Sequence, residues 1–164
     1  YANFSVQTGE IRSRGAELEA RASLSDSLDL IGAYAYTEAE ITSSNTPGVT
    51  GNQAPQVPKH AASAWAHYQF RDGPLNGLGL GGGVRFIGET KGDEANSFTV
   101  PSVTLADLAL RYQLGALRDD LTGAEVTLNV SNLFDKEYVA SCSNTTNCFF
   151  GNRRVVLAGL RYTW

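Results

Sequence analysis

The chain has 164 residues, a formal net charge of −4 and 42% hydrophobic residues. No run approaches the roughly 18 apolar residues of a membrane helix, and the acidic balance argues against nucleic acid as a partner, which calls for a basic stripe. The 17 glycines, seven tyrosines, seven phenylalanines and absent methionine favour strands and tight turns. A transmembrane barrel stays open, because strands that are apolar on one face only average out as polar.

The chain begins on Tyr1 without a charged-then-apolar leader, and so reads as a processed or excised piece. Alternation sets in at 16–24, with Ala16, Leu18, Ala20, Ala22 and Leu24 opposing Glu17, Glu19, Arg21 and Ser23. Ser25, Asp26 and Ser27 make a short turn, and 28–41 resumes with Leu28, Leu30, Tyr34 and Tyr36 on one face. Residues 43–58 are turn formers throughout and predict a long loop. The next strand, 60–70, aligns Ala62, Ala64, Ala66, Tyr68 and Phe70. After a reversal at 71–77 comes a glycine-rich strand, 79–90. Its Gly79-Leu80-Gly81-Gly82-Gly83 run lacks the Lys-Ser/Thr of a phosphate loop, and instead allows strand curvature or close approach of another segment.

A polar loop at 91–97 leads to a strand with Ala106, Leu108, Leu110 and Tyr112 against Asp107 and Arg111. Residues 115–123 turn back, and Ala124, Val126, Leu128 and Val130 then oppose Glu125, Thr127, Asn129 and Ser131. A long polar loop, 132–152, carries the two cysteines, Cys142 and Cys148. No histidine lies near them in sequence, as zinc would require, and the spacing is not the C-x-x-C of a redox pair. They read as a structural disulfide formed in an oxidising compartment. The last strand places Val156, Ala158, Leu160, Tyr162 and Trp164 on one face, and Val155, Leu157, Gly159, Arg161 and Thr163 on the other. A chain that stops on an aromatic at the edge of an apolar face suits a membrane barrel, whose aromatics sit in the interfacial girdle.

About seven strands result, and their connections are sorted: 25–27, 71–77 and 115–123 at one end, 43–58, 91–97 and 132–152 at the other. Short turns on one side and the longest loops on the other is the asymmetry of an outer-membrane barrel. The charges Glu17, Glu19, Arg21, Asp107, Arg111 and Glu125 share the polar face, as a hydrated lumen would have them. Those carboxylates lie on different strands with no nucleophile beside them, so a catalytic role is not expected.

Several segments then resemble one family, the TonB-dependent siderophore receptors of the bacterial outer membrane. They are QTGEIRSRGAELEA (7–20), PQVPKHAASAWAHYQF (55–70), VSNLFDKEYVASC (130–142) and the terminal LRYTW (160–164). The pair Cys142 and Cys148, set between NLFDK-Y and the last strand, is most similar to the ferrichrome and hydroxamate branch. The resemblance implies an all-β, antiparallel up-and-down transmembrane barrel of about 22 strands around a plug. Residues 1–164 would supply its C-terminal part, about seven strands, with the plug and the earlier strands outside this chain. It further implies a bacterial outer-membrane location and uptake of ferric siderophores, energised through the TonB complex by way of the N-terminal region. Close approach of the plug is one use for the glycines at 79–83. Receptors of the ferrichrome type tend to place an aromatic directly after the first loop cysteine; Ser143 stands there here, and Phe149 and Phe150 follow the second.

A ferric chelate is large and mostly neutral, and its iron arrives already coordinated, so neither a resident cofactor nor a protein metal site is expected. Candidate ligand contacts are Phe149, Phe150, Tyr138 and Arg153. The same rings would serve the outer aromatic girdle, and Arg153 and Arg154 would equally pair with lumen carboxylates. Leu160, Tyr162 and Trp164 resemble the closing signal read by the outer-membrane assembly machinery, and the apolar faces would meet outer-membrane lipid. Two other readings stand beside this one: a plug-less surface barrel or adhesin, and a soluble all-β, lectin-like binding module.

Overall fold

The computed structural model describes residues 9–164. Residues Gln7 and Thr8 of the 7–20 motif lie outside the described residues. Eleven strands follow in order: β1 (Glu10–Ser25), β2 (Leu28–Ser43), β3 (His60–Gln69), β4 (Leu78–Ile87), β5 (Thr90–Lys91), β6 (Thr99–Val100), β7 (Val103–Gln113), β8 (Ala124–Ser131), β9 (Val139–Asn144), β10 (Asn147–Phe150) and β11 (Val155–Tyr162). The principal sheet has seven strands in the order β1-β2-β3-β4-β7-β8-β11, each antiparallel to its neighbour. Among the described residues the helical segments are single 3₁₀ turns of three residues, two of them in the connection 114–123. No helix there is long and apolar enough to cross a membrane.

The register shows why these residues make a two-faced sheet. Cross-strand partners lie on the same face. One row runs Ala20, Gly32, Ala64, Val84 and Ala106, and the next Ala22, Leu30, Ala66, Gly82, Leu108, Val130 and Val156. One face is therefore apolar across all seven strands. The intervening rows carry Glu19, Ser63, Arg85, Arg21, Trp65 and Asp107, then Ser23, Asp29, His67, Asn129 and Leu157. Arg85 grips Asp107 through two hydrogen bonds (2.5 and 3.0 Å), Arg111 faces Glu125 at 3.6 Å and Arg21 meets Glu19 at 2.8 Å.

Aromatic side chains cluster at both borders of the apolar face. At the long-loop end the Tyr34 hydroxyl and His60 Nδ1 are hydrogen-bonded at 2.8 Å, and the Tyr36 ring lies 5.3 Å from the His60 ring. At the other end Tyr68 meets Phe70 edge to face at 4.8 Å. Strands β1 and β2 run 16 residues each, past the roughly 9–11 a barrel strand needs to cross the bilayer. Their extra length holds the exposed pairs Arg12–Glu40 and Arg14–Glu38.

Ala124 and Val130 of β8 are buried, but most of the buried core gathers at one end of the sheet. It sits at the long-loop end, where Ala39, Ile41, Val49, Ala54, Val100, Val103, Leu105 and Cys142 are buried. Away from that end most residues of the sheet are half-buried or exposed.

Two features add to the sequence reading. The glycines of β4 serve a side chain of the neighbouring strand: a side chain at Gly81 would fall 2.6 Å from the Trp65 ring, and one at Gly83 would overlap it. The long loop after β8 is not irregular throughout, since β9 and β10 form a hairpin with Cys148 opposite Cys142.

Candidate functional site

The loops at the core end form one interlocked cap. Asn52 Nδ2 donates to the Glu94 carbonyl (2.8 Å), while Gln53 and Asn96 exchange hydrogen bonds between side chain and backbone (3.1 and 2.8 Å). Gln56, held at a φ of 64°, receives no help from sequence patterning, yet it joins two loops to its own. Its backbone N–H donates to Lys91 O (2.9 Å), and its side-chain Nε2 donates to Cys142 O (2.9 Å). Cys142 is bonded to Cys148, so the β9–β10 hairpin is closed on itself and pinned to the 44–59 loop.

Between the two segments that flank this hairpin in the chain, at Tyr138 and at Asn152 and Arg153, a recess of 480 Å³ opens against the polar face. Trp65, Arg85, Asp107 and Asn129 form its floor, and Tyr138, Asn152 and Arg153 come down from the loop. The Tyr138 ring stands where a side chain on Gly151 would be, and the Gly151 N–H donates to Tyr138 O (2.9 Å), which fixes the ring at the rim.

Arg153 lines the same recess, but its guanidinium is already engaged. Nε and Nη2 donate to the two carboxylate oxygens of Asp135 (3.0 and 2.7 Å), and Nη1 pairs with Glu137. That grip, reinforced by the Arg154 N–H, holds the Asp135 carboxyl well below the usual carboxylate range, and the bond to Asp135 raises Arg153 in turn. The carboxylates paired to Arg153 thus belong to its own loop rather than to the barrel wall.

Phe149 and Phe150 project from β10 with 58% and 79% of their surface exposed. The recess therefore gathers Tyr138 and Arg153, while Phe149 and Phe150 of β10 do not line it. Ser143 is engaged within the hairpin, where its Oγ accepts from Asn147 Nδ2 (3.0 Å). Leu160 and Tyr162 lie on the apolar face opposite Val126 and Ala124, and Trp164 is fully exposed beyond them.

Trp65 and Gln56 escaped the sequence reading. The glycines directly opposite Trp65 were a usable signal for the first, whereas nothing local marks a glutamine that bonds to a carbonyl 86 positions away. Among the described residues no three His, Cys, Asp or Glu side chains converge as a metal site.

An antiparallel sheet with one apolar face, one charged face, aromatic borders and sorted loops defines the wall of an outer-membrane barrel. Residues 1–133 match the family described as TonB dependent receptor-like, beta-barrel, and the chain belongs to that family. It is 54% identical over 155 residues to the ferrichrome outer membrane transporter/phage receptor of Escherichia coli K12, covering 94% of this chain and 20% of that protein. It is 40% identical over 156 residues to the ferrioxamine B receptor of Salmonella typhimurium LT2, covering 95% and 22% respectively. Among solved structures it is similar to the ferric preacinetobactin receptor BauA of Acinetobacter baumannii, at TM-score 0.79 and 26% identity over 96% of this chain and 23% of that one. The siderophore receptor PiuA of the same species matches at TM-score 0.75 and 27% identity, over 94% and 22%. The chain spans about a fifth of the length of the curated relatives it matches.

Proposed function

We propose that this chain is the C-terminal wall and last external loops of a receptor that takes up ferric siderophores of the hydroxamate class, with energy delivered through the TonB complex. The edges of β1 and β11 would take the remaining barrel strands, and plug and TonB contact would lie outside residues 1–164. The observation that carries the ligand class is the recess between Trp65 and the loop residues Tyr138, Asn152 and Arg153. It offers aromatic and amide groups in Trp65, Tyr138, Asn129 and Asn152, while its charges, Arg85 with Asp107 and Arg153 with Asp135, neutralise each other. A neutral, hydrogen-bonding chelate suits such a site better than an anionic one, which would need an uncompensated cation. Phe149, Phe150 and Tyr138 supply the aromatic contacts of this reading, and Arg153 presents an already paired guanidinium.

Binding by the intact receptor tests the proposal. Ferric trihydroxamates should quench tryptophan fluorescence saturably, and ferric tricatecholates, which carry net negative charge, should not. Equal binding of both classes, or of the catecholate alone, would overturn it.

A further inference from the structure

Strand β11 raises a question of register. β11 lies at the edge of the sheet and all its residues are exposed here, so its register against β8 rests on the ladder itself and on the turn before it. Its outward positions, Val156, Ala158, Leu160 and Tyr162, are apolar throughout, as are their partners Val130, Leu128, Val126 and Ala124. A slip of one residue would turn lipid-facing side chains into the lumen, but a slip of two leaves every apolar residue outside, and patterning cannot tell the two apart. The bond from Thr163 N–H to Gly123 O (2.9 Å) has the same weakness, since a ladder shifted in phase offers comparable backbone partners. Arg161 stands opposite Glu125, but Glu125 pairs with Arg111 of β7 instead.

The distinguishing contacts lie at the other end, in the NLFDK turn that marked the family resemblance. Asn132 is 3% exposed and uses its whole side chain: Oδ1 accepts from Lys136 N–H (2.8 Å), and Nδ2 donates to Lys136 O (2.8 Å) and Asn152 O (3.0 Å). Asp135 accepts from the Arg153 guanidinium and from Arg154 N–H (2.9 Å), one residue before the first ladder pair, Val155 with Ser131. Both Asn132 and Asp135 have positive φ (52° and 56°), a left-handed conformation in which Asn and Asp are enriched. The Asn132 N–H donates to Asp107 Oδ1 (2.9 Å), and Asp107 is held by Arg85, so the turn is tied through β7 to β4.

We infer that the NLFDK turn is a register clip: Asn132 and Asp135 select, among the in-phase pairings of β11 with β8, the one that places residue 155 against residue 131. Moving β11 by two residues would carry Arg154 N–H about 7 Å from Asp135, out of reach of a hydrogen bond. The clip works at the loop end of the sheet, opposite the aromatic terminus, and is independent of what the receptor binds.

Paired cysteines on the lumen face of the intact receptor report the register directly. The native pair is Asn129→Cys with Leu157→Cys, and the two shifted pairs are Asn129→Cys with Val155→Cys and Ser131→Cys with Leu157→Cys. In the parent, mild oxidation should close the native pair. With Asn132→Ala or Asp135→Ala added, the ratio of shifted to native cross-links should rise about tenfold. Should either alanine variant fail to reach the membrane, Asp135→Asn, which keeps the shape but loses the charge that holds Arg153, is read with the same pairs after refolding in detergent. Native cross-linking at the parental level in folded barrels of these variants would show that the clip does not set the register.

Discussion

Trp65 on β3 and Gly83 on β4 are direct cross-strand partners, and the indole of the first fills the space that a side chain on the second would occupy. Gly81 gives way to the same ring. An indole on a two-glycine floor lies close to the strand, leaving room for the recess above Asp107 and Asn129. Substituting Gly83 by Val should push the ring into the recess, costing about 1–3 kcal/mol as overpacking does. A red-shifted, more quenchable Trp65 emission, taken as the difference from a Trp65→Phe control of the same protein, would report the displacement. An unchanged spectrum would mean that the ring does not rest on the glycine.

The two faces should respond differently to the same charge. Arg at Leu128, on the apolar face, should cost about 2–4 kcal/mol if that position lies near the bilayer midplane, whereas Arg at the neighbouring Thr127 should cost little. Denaturant unfolding of the whole barrel in lipid vesicles measures both. Equal costs would mean that the faces are assigned wrongly.

The facing, strand order and loop sorting were legible because they follow from a period of two and from turn residues, which are local properties of the chain. Leu108 beside Asp107 is enough to orient β7. The cysteine pair was legible from its spacing and from the absence of histidines nearby in sequence. What sequence did not show depends on partners far apart in the chain: Gln56 reaching Cys142, Asn132 reaching Asn152, and Trp65 settling on Gly81 and Gly83. Arg153 shows the limit at single-residue scale. Its charge was visible, but its commitment to Asp135 and Glu137 arises only once the NLFDK turn has folded.

Cys142 and Cys148 close a small loop, so their bond should stabilise the hairpin by about 2 kcal/mol through loop-closure entropy. Its reach should extend one step further, through Gln56. Reduction, or Cys142→Ser with Cys148→Ser, should speed amide hydrogen exchange in 139–150 first and then in 52–57, leaving β3 and β4 unaffected. Gln56→Ala should loosen 52–57 with the disulfide intact. Uniform loosening across the sheet would contradict a local role.

Asp135 gives the clip a defined acid limit. Its carboxyl is held low by Arg153 first and by Arg154 N–H next, so the folded form favours the charged state more than the unfolded form does. Stability from this contact is present above the ordinary aspartate value near 3.9 and is lost as pH falls through the lower folded value. The Arg154 amide resonance should therefore hold its position as pH drops to about 4 and move only below it. A midpoint at the ordinary aspartate value would show that the pairing does not persist in solution.

The most direct test of the whole account separates the residues that build the wall from those that meet the ligand. Deleting Trp164 from the intact receptor should lower its abundance in the outer membrane, with uptake of ferric hydroxamate falling in proportion. Replacing Phe149 and Phe150 by Ala should leave abundance at the parental level while weakening ferric hydroxamate binding by about tenfold or more, the loss of roughly 1.4 kcal/mol or above. Normal assembly without Trp164, or phenylalanine variants that lose abundance while the surviving receptor binds as before, would contradict it.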